Sequence, residues 1–226
     1  MNIREESIKN LFQGNQESRE IEFKRGFEWE YPTAKSLELI KTVLCMYNTP
    51  QGGNLILGIK EGRNNSKPDY IGMTKEEIDS FERNEEIIKA IINSYCNTTI
   101  IPMFEIIKDP TFDMPKSFLI IKIPHYQEYP NITKRDGDYI KSNGEKDYKF
   151  RKNDLLTRSK SPKYSNTKAS QEELNEMIEL GAKGVRSKCK DILNLTSINN
   201  KSTEKKVLKE FSQKYQKERR NIYGDF

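Results

Sequence analysis

The sequence predicts an α+β fold, a mixed sheet flanked by helices, with a C-terminal helical extension. Three observations predict it. Apolar residues recur at helical spacing in two long segments that begin at Thr33 and Thr74. They recur at strand spacing, or as short apolar runs, in several briefer ones. The order is helix, strand, helix, strand, helix, then mostly strands, then helices, which lacks the regular alternation of a doubly wound sheet.

Taken in order, Ile3, Ile8, Leu11 and Phe12 stand among charges, and the spacing predicts a short helix over 3–13 that Gly14-Asn15 ends. Residues 19–24 alternate polar and apolar, with Ile21 and Phe23 on one face, as a strand does. A loop carrying the single tryptophan, Trp29, leads to Thr33, which reads as the N-cap of a helix striped by Leu37, Ile40, Val43, Leu44 and Tyr47. That helix stops at Asn48-Thr49-Pro50-Gln51-Gly52-Gly53, and Leu55 to Ile59 reads as a strand. Tyr70 to Met73 is expected to form another short strand.

Thr74 with Glu77 forms a capping box for a helix running to about Tyr95. Residues 100–107 and 117–123 read as strands, closed by Pro124. Short strands are expected at 130–133, 138–141 and 148–151, separated by Asp-Gly and Asn-Gly turns. Residues 153–158 read as a helical turn or two, and 159–169, rich in Ser, Lys and Pro, as a linker. Two helices are expected at 170–183 and 202–219. The organisation predicted is a domain over 1–158, a linker over 159–169 and a basic helical extension over 170–226.

Composition narrows the function. Of 226 residues, 34% are apolar and 32% charged, which suits a polar globular chain whose apolar residues cluster. The net charge of +5 is unevenly distributed: residues 134–226 carry 23 basic and 14 acidic residues, and residues 1–133 carry 16 and 20. A basic half suits a phosphate-bearing partner, or else a solvated lysine-rich surface. No secretory leader follows the initial Met-Asn-Ile-Arg, and no apolar run is long enough to span a membrane, so no membrane partner is expected. Cys45, Cys96 and Cys189 make no Cys-x-x-Cys, and with one histidine the chain offers no zinc site; a reducing cytoplasm fits. No Gly-x-x-x-x-Gly-Lys-Ser/Thr occurs, so no nucleotide cofactor is expected.

Three blocks carry a resemblance. Glu17-Ser18-Arg19-Glu20-Ile21-Glu22-Phe23-Lys24 places a glutamate five residues before a Glu-Phe-Lys triplet. Tyr47-Asn48-Thr49 is followed by Gly52-Gly53-Asn54-Leu55-Ile56-Leu57-Gly58-Ile59. Asp69-Tyr70-Ile71-Gly72 and Tyr148-Lys149-Phe150-Arg151 complete the set. In order and spacing they resemble the Schlafen Alba-like family over roughly residues 10–155. The resemblance implies nucleic-acid binding, and in nuclease members a divalent-metal-dependent cleavage of structured RNA such as transfer RNA. It also implies an alternative, a non-catalytic DNA-binding transcriptional regulator, and a homodimer. The three carboxylates of the nuclease members fall here at Glu17, Glu22 and Glu61, the last where the family usually has Asp.

Glu17, Glu22 and Glu61 would serve as ligands to Mg²⁺ or Mn²⁺, which take oxygen donors and keep several waters. The metal would polarise the phosphoryl oxygen, activate water and stabilise the departing oxygen. Lys24 shares the strand face of Glu22 and would hold the scissile phosphate. Residues five apart on a continuous strand face opposite sides, so Glu17 joins Glu22 only if the strand starts after Ser18; Glu20 is a rival ligand. Lys134, Arg135, Lys141, Lys146, Lys149, Arg151 and Lys152, interleaved with Tyr139, Tyr148 and Phe150, read as a surface that tracks a nucleic-acid backbone. Trp29, Tyr31 and Tyr47 are stacking candidates or core, His125 an acid or a packing residue, and Gly52-Gly53 a helix stop or an amide cradle.

Overall fold

The computed structural model describes residues 2–5, 7–11, 17–62, 67–160, 164–196 and 209. Its centre is a mixed five-stranded sheet of β1 (Asn2–Glu5), β6 (Met103–Asp109), β7 (Lys116–Ile123), β3 (Gly53–Leu57) and β2 (Ile21–Lys24), in that spatial order. β1 runs parallel to β6 and β2 parallel to β3, while β7 is antiparallel to both neighbours. Three two-stranded pairs surround it: β4 (Ile59–Lys60) with β5 (Asp69–Tyr70), β8 (Gly137–Ile140) with β9 (Lys146–Phe150), and β10 (Leu156–Arg158) with β11 (Asn166–Lys168).

The helices are α1 (Ile8–Leu11), α2 (Ala34–Tyr47), α3 (Lys75–Ser94) and α4 (Gln171–Thr196). Local chemistry sets where α2 and α3 begin. The Ser36 N–H donates to Thr33 Oγ1 (3.2 Å) and the Thr33 N–H to Ser36 Oγ (2.9 Å). At α3 the Glu77 N–H donates to Thr74 Oγ1 and the Thr74 N–H to Glu77 Oε2, so each helix entry satisfies two orphan donors reciprocally.

One sheet face carries Leu55, Leu57, Leu119 and Ile121, which pack with Leu37, Ile40 and Leu44 of α2 and Phe81, Ile88 and Ile92 of α3 in the main core. The opposite face carries a smaller cluster of Phe23, Ile56, Ile107, Phe118 and Ile120, closed by Ile8 of α1. Period-two alternation along β2 therefore sends Phe23 to the small cluster and Glu22 and Lys24 to the α2 side, beside Leu55 and Leu57.

The α2 terminus is built by the Asn48–Gly53 segment. Asn48 is fully buried; its Nδ2 donates to the Asn131 and Leu156 carbonyls (2.8 Å each) and its Oδ1 accepts from the Asn131 N–H (2.6 Å). Thr49 Oγ1 lies 2.7 Å from both the Met46 and Gly52 carbonyls. Gly52 has φ +71°, and a Cβ there would meet the Ile123 carbonyl at 2.2 Å, so only glycine closes this turn.

Several elements differ from the sequence reading. Residues 2–5 form a strand and only 8–11 a helix, because β1 finds a parallel partner in β6. Residues 130–133 make isolated bridges rather than a strand. Residues 156–158 are strand, not helical turn, and the segment expected as a linker contains β11, which pairs with β10 from Leu156↔Lys168 to Arg158↔Asn166. Polar side chains made β11 look like linker; the backbone pairing with β10 is what orders it. α4 continues to Thr196, past the expected end at 183, and the helix expected at 202–219 falls, apart from residue 209, outside the described residues.

α4 packs on the domain. Leu174 and Met177 enter the main core, and the Tyr126 hydroxyl donates to the Met177 carbonyl (2.8 Å). A Cβ on Gly184 would stand 1.8 Å from the Gln127 carbonyl, so the helix seats backbone against backbone there.

Candidate functional site

The open edge of the sheet at β2 gathers the acidic residues. β2 begins only at Ile21, so Glu17 lies on the preceding turn, where Ser18 and Ile21 exchange backbone hydrogen bonds (3.1 and 3.4 Å). Glu17 Oε1 then accepts the Phe23 N–H at 2.8 Å. The turn removes the conflict of residues five apart and brings Glu17 into the electrostatic field of Glu22 and Glu61. Glu20, the rival, instead accepts from Ser18 Oγ (3.1 Å).

Glu17 pays for that neighbourhood: burial, then the Glu22 and Glu61 charges, push its carboxyl up to about 7 against the opposing pull of the Phe23 N–H and Arg158. The folded state therefore holds a proton that the unfolded chain releases near pH 4.5. The associated stability is fully present below that value and is lost as pH rises through 7. Glu17→Gln is expected to gain Tm relative to the parent as pH is raised from 5 to 8, without divalent ions; a difference independent of pH would refute the shift.

Glu22 is held from both sides. Lys24 Nζ lies 2.8 Å from Oε1, and Arg158 Nη1 donates to Oε2. Arg158 is fully buried, and its Nη2 also donates to the carbonyls of Ser18 (2.8 Å) and Ile21 (3.3 Å). Its Nε has no hydrogen-bond partner among the described residues. Arg19 braces the same corner: Nε donates to the Arg158 carbonyl (3.1 Å) and Nη2 to Glu176 Oε2 of α4 (2.8 Å). Asn166 Nδ2 donates to Thr42 Oγ1 (2.9 Å), linking β11 to α2.

The sequence reading missed Arg158. The signal was an arginine directly behind Leu155-Leu156-Thr157, where two adjacent leucines mark a buried segment and a buried arginine needs an acid. Glu61 follows β4 and is exposed.

Glu17, Glu22 and Glu61 thus share one field but not one coordination cage: among the described residues, no three His, Cys, Asp or Glu side chains group to hold a metal ion. Their chemistry nonetheless fits Mg²⁺ or Mn²⁺, which need one or two carboxylates plus waters. Burial and the Glu22 and Glu61 charges together hold the Glu17 carboxyl above its ordinary range.

The basic window is less bare than its composition. Lys141 pairs with Asp147 (3.2 Å), Lys146 with Asp138 (2.9 Å), Lys149 with Glu38 of α2 (3.6 Å) and Arg151 with Asp136 (3.8 Å). Arg151 also stands over the Tyr148 ring at 3.2 Å and Arg135 over Tyr95 at 4.1 Å. Lys134 and Lys152 are exposed, with no ion-pair partner among the described residues. Tyr47 is buried against Tyr126, Trp29 and Tyr31 are half-buried and stacked, and His125 meets Gln127 (3.1 Å).

An α+β domain with an acidic corner at a sheet edge and a basic window over residues 134–152 is the kind of protein the geometry presents. The family model described as Schlafen, AlbA_2 matches residues 17–151, and the chain belongs to that family. Membership ties the chain to nucleic-acid-related function. No curated protein matches it. Among solved structures, the DIP2311 protein from Corynebacterium diphtheriae is similar at 18% identity and a TM-score of 0.38. The match covers 70% of this chain and only 23% of that one. No helix among the described residues is long and apolar enough to cross a membrane.

Proposed function

We propose that the chain binds RNA and cleaves it as a divalent-metal-dependent endoribonuclease, structured RNA such as transfer RNA being the substrate class. The observation that carries this reading is the shared field of Glu17, Glu22 and Glu61 at the β2 corner, with Lys24 and Arg158 beside them. Glu17, Glu22 and Glu61 would hold Mg²⁺ or Mn²⁺, which supplies Lewis acidity and an activated water. Arg158 fixes Glu22 in direction, and Lys24 offers a point charge to a phosphate. The basic window guides the backbone toward them.

The test is cleavage of transfer RNA by the purified chain with Mn²⁺, beside Glu22→Gln. Mutating groups that merely support a metal ligand costs about 10–100-fold, so loss of a ligand is expected to cost roughly a hundredfold or more. Equal cleavage by both proteins, or by neither, removes the hydrolase reading.

A second reading, a non-catalytic DNA-binding regulator, is favoured by one specific observation: both Glu22 oxygens already have cationic partners. It predicts salt-dependent, sequence-preferring duplex DNA binding and no cleavage.

A further inference from the structure

An open cleft of about 470 Å³ lies away from the acidic corner, lined by Tyr31, Pro32, Tyr95, Lys134, Arg135 and Lys152. Asp136 and Asp138 also line it, but each is matched from elsewhere: Asp138 pairs with Lys146, and Asp136 accepts the Lys152 N–H and faces Arg151. The cations of the cleft are not matched in this way. Lys134 and Lys152 have no ion-pair partner among the described residues; Arg135, which feels Asp138 through space without forming an ion pair there, gives its hydrogen bonds among those residues to the neutral hydroxyls of Tyr31 (3.3 Å) and Ser94. The cleft thus holds surplus positive charge.

Its aromatic floor is cross-braced. The Tyr31 and Tyr95 hydroxyls share a hydrogen bond of 2.7 Å, Trp29 stacks on Tyr31 at an interplanar angle of 10°, and the Arg135 guanidinium covers the Tyr95 ring. A second cleft of about 510 Å³ shares Pro32 and continues past Tyr139 and Lys141 to Asn143. Two adjoining hollows of nucleotide size, joined at an exposed proline, form a track rather than a pocket for one small molecule.

We infer that this track binds a single-stranded segment of nucleic acid, with an unpaired base seated against the Tyr31–Arg135 floor and its phosphate between Lys134 and Lys152. Stacking platforms beside cationic rails are how single strands are held without base readout, and guanidinium planes serve as stacking surfaces. A duplex buries its base faces and cannot use the floor. The inference rests on the nucleic-acid reading of the family but not on hydrolysis.

Fluorescence anisotropy of the full chain in EDTA, with a short labelled oligouridine and a duplex RNA of equal length, tests it. Lys134→Glu/Lys152→Glu, two exposed positions that leave the fold intact, is expected to weaken oligouridine binding by about tenfold or more and to flatten its salt dependence. Duplex binding is expected to change far less. Because EDTA removes divalent ions, the binding measured is independent of cleavage, so loss of the nuclease reading alone leaves this result standing. Unchanged oligouridine affinity in the double variant, or an equal loss for duplex and single strand, overturns the track.

Discussion

Arg158→Ala is expected to lower stability by about 3–5 kcal/mol, the cost of stranding one partner of a buried charge pair. At this chain length that corresponds to a fall of roughly 10 °C in Tm by calorimetry. Arg158 is fully buried and the Glu22 side chain is only 12% exposed, so water cannot readily replace the guanidinium. The Ser18 and Ile21 carbonyls lose donors in the same step. Arg158→Lys is expected to restore little, because a point charge cannot serve a carboxylate and two carbonyls as a planar fork does. Glu22→Leu/Arg158→Met should recover much of the loss, since removing both charges leaves neither stranded. A Tm change under about 2 °C in Arg158→Ala would show that the pair is solvated.

The second large effect is expected at Asn48. Its three hydrogen bonds tie the end of α2 to residue 131 and to β10, and each leaves a buried backbone group behind when removed. With an unsatisfied buried group costing about 1–3 kcal/mol, Asn48→Ala is expected to lose about 3–4 kcal/mol. Urea unfolding would show this as a lower midpoint at unchanged slope. The isosteric Asn48→Asp is expected to do no better, because two of the three contacts require N–H donors. Full stability in Asn48→Asp would contradict the assigned amide orientation.

Both residues fasten β10, and β10 was the part of the fold that the sequence concealed. Helix entries were legible because Thr33 and Thr74 announce themselves within three residues, and the central strands because Leu55 to Leu57 and Phe118 to Ile121 are apolar runs. The β10–β11 pair is held by long-range partners: Arg158 meets Glu22 across 136 positions, and no local pattern records that. Of its own residues, Thr157 and Arg158 read as the end of a helical turn, and Asn166 and Thr167 as linker. The acidic residues were named through the family resemblance; spacing added only that Glu17 needed a turn before Ile21, and it has one. The basic window was over-read in charge, because composition counts lysines without showing that Asp138 pairs with Lys146 and Asp147 with Lys141.

The loop that delivers Glu17 also decides how the sheet ends. Along the outer rim of β2, the Ile21 N–H and C=O are taken by Ser18, and the Phe23 N–H by the Glu17 carboxylate. A neighbouring molecule thus finds few vacant backbone groups there on which to lay another strand, the route by which exposed rims seed aggregates. Joining the sheets of two copies by backbone pairing at this rim is therefore disfavoured.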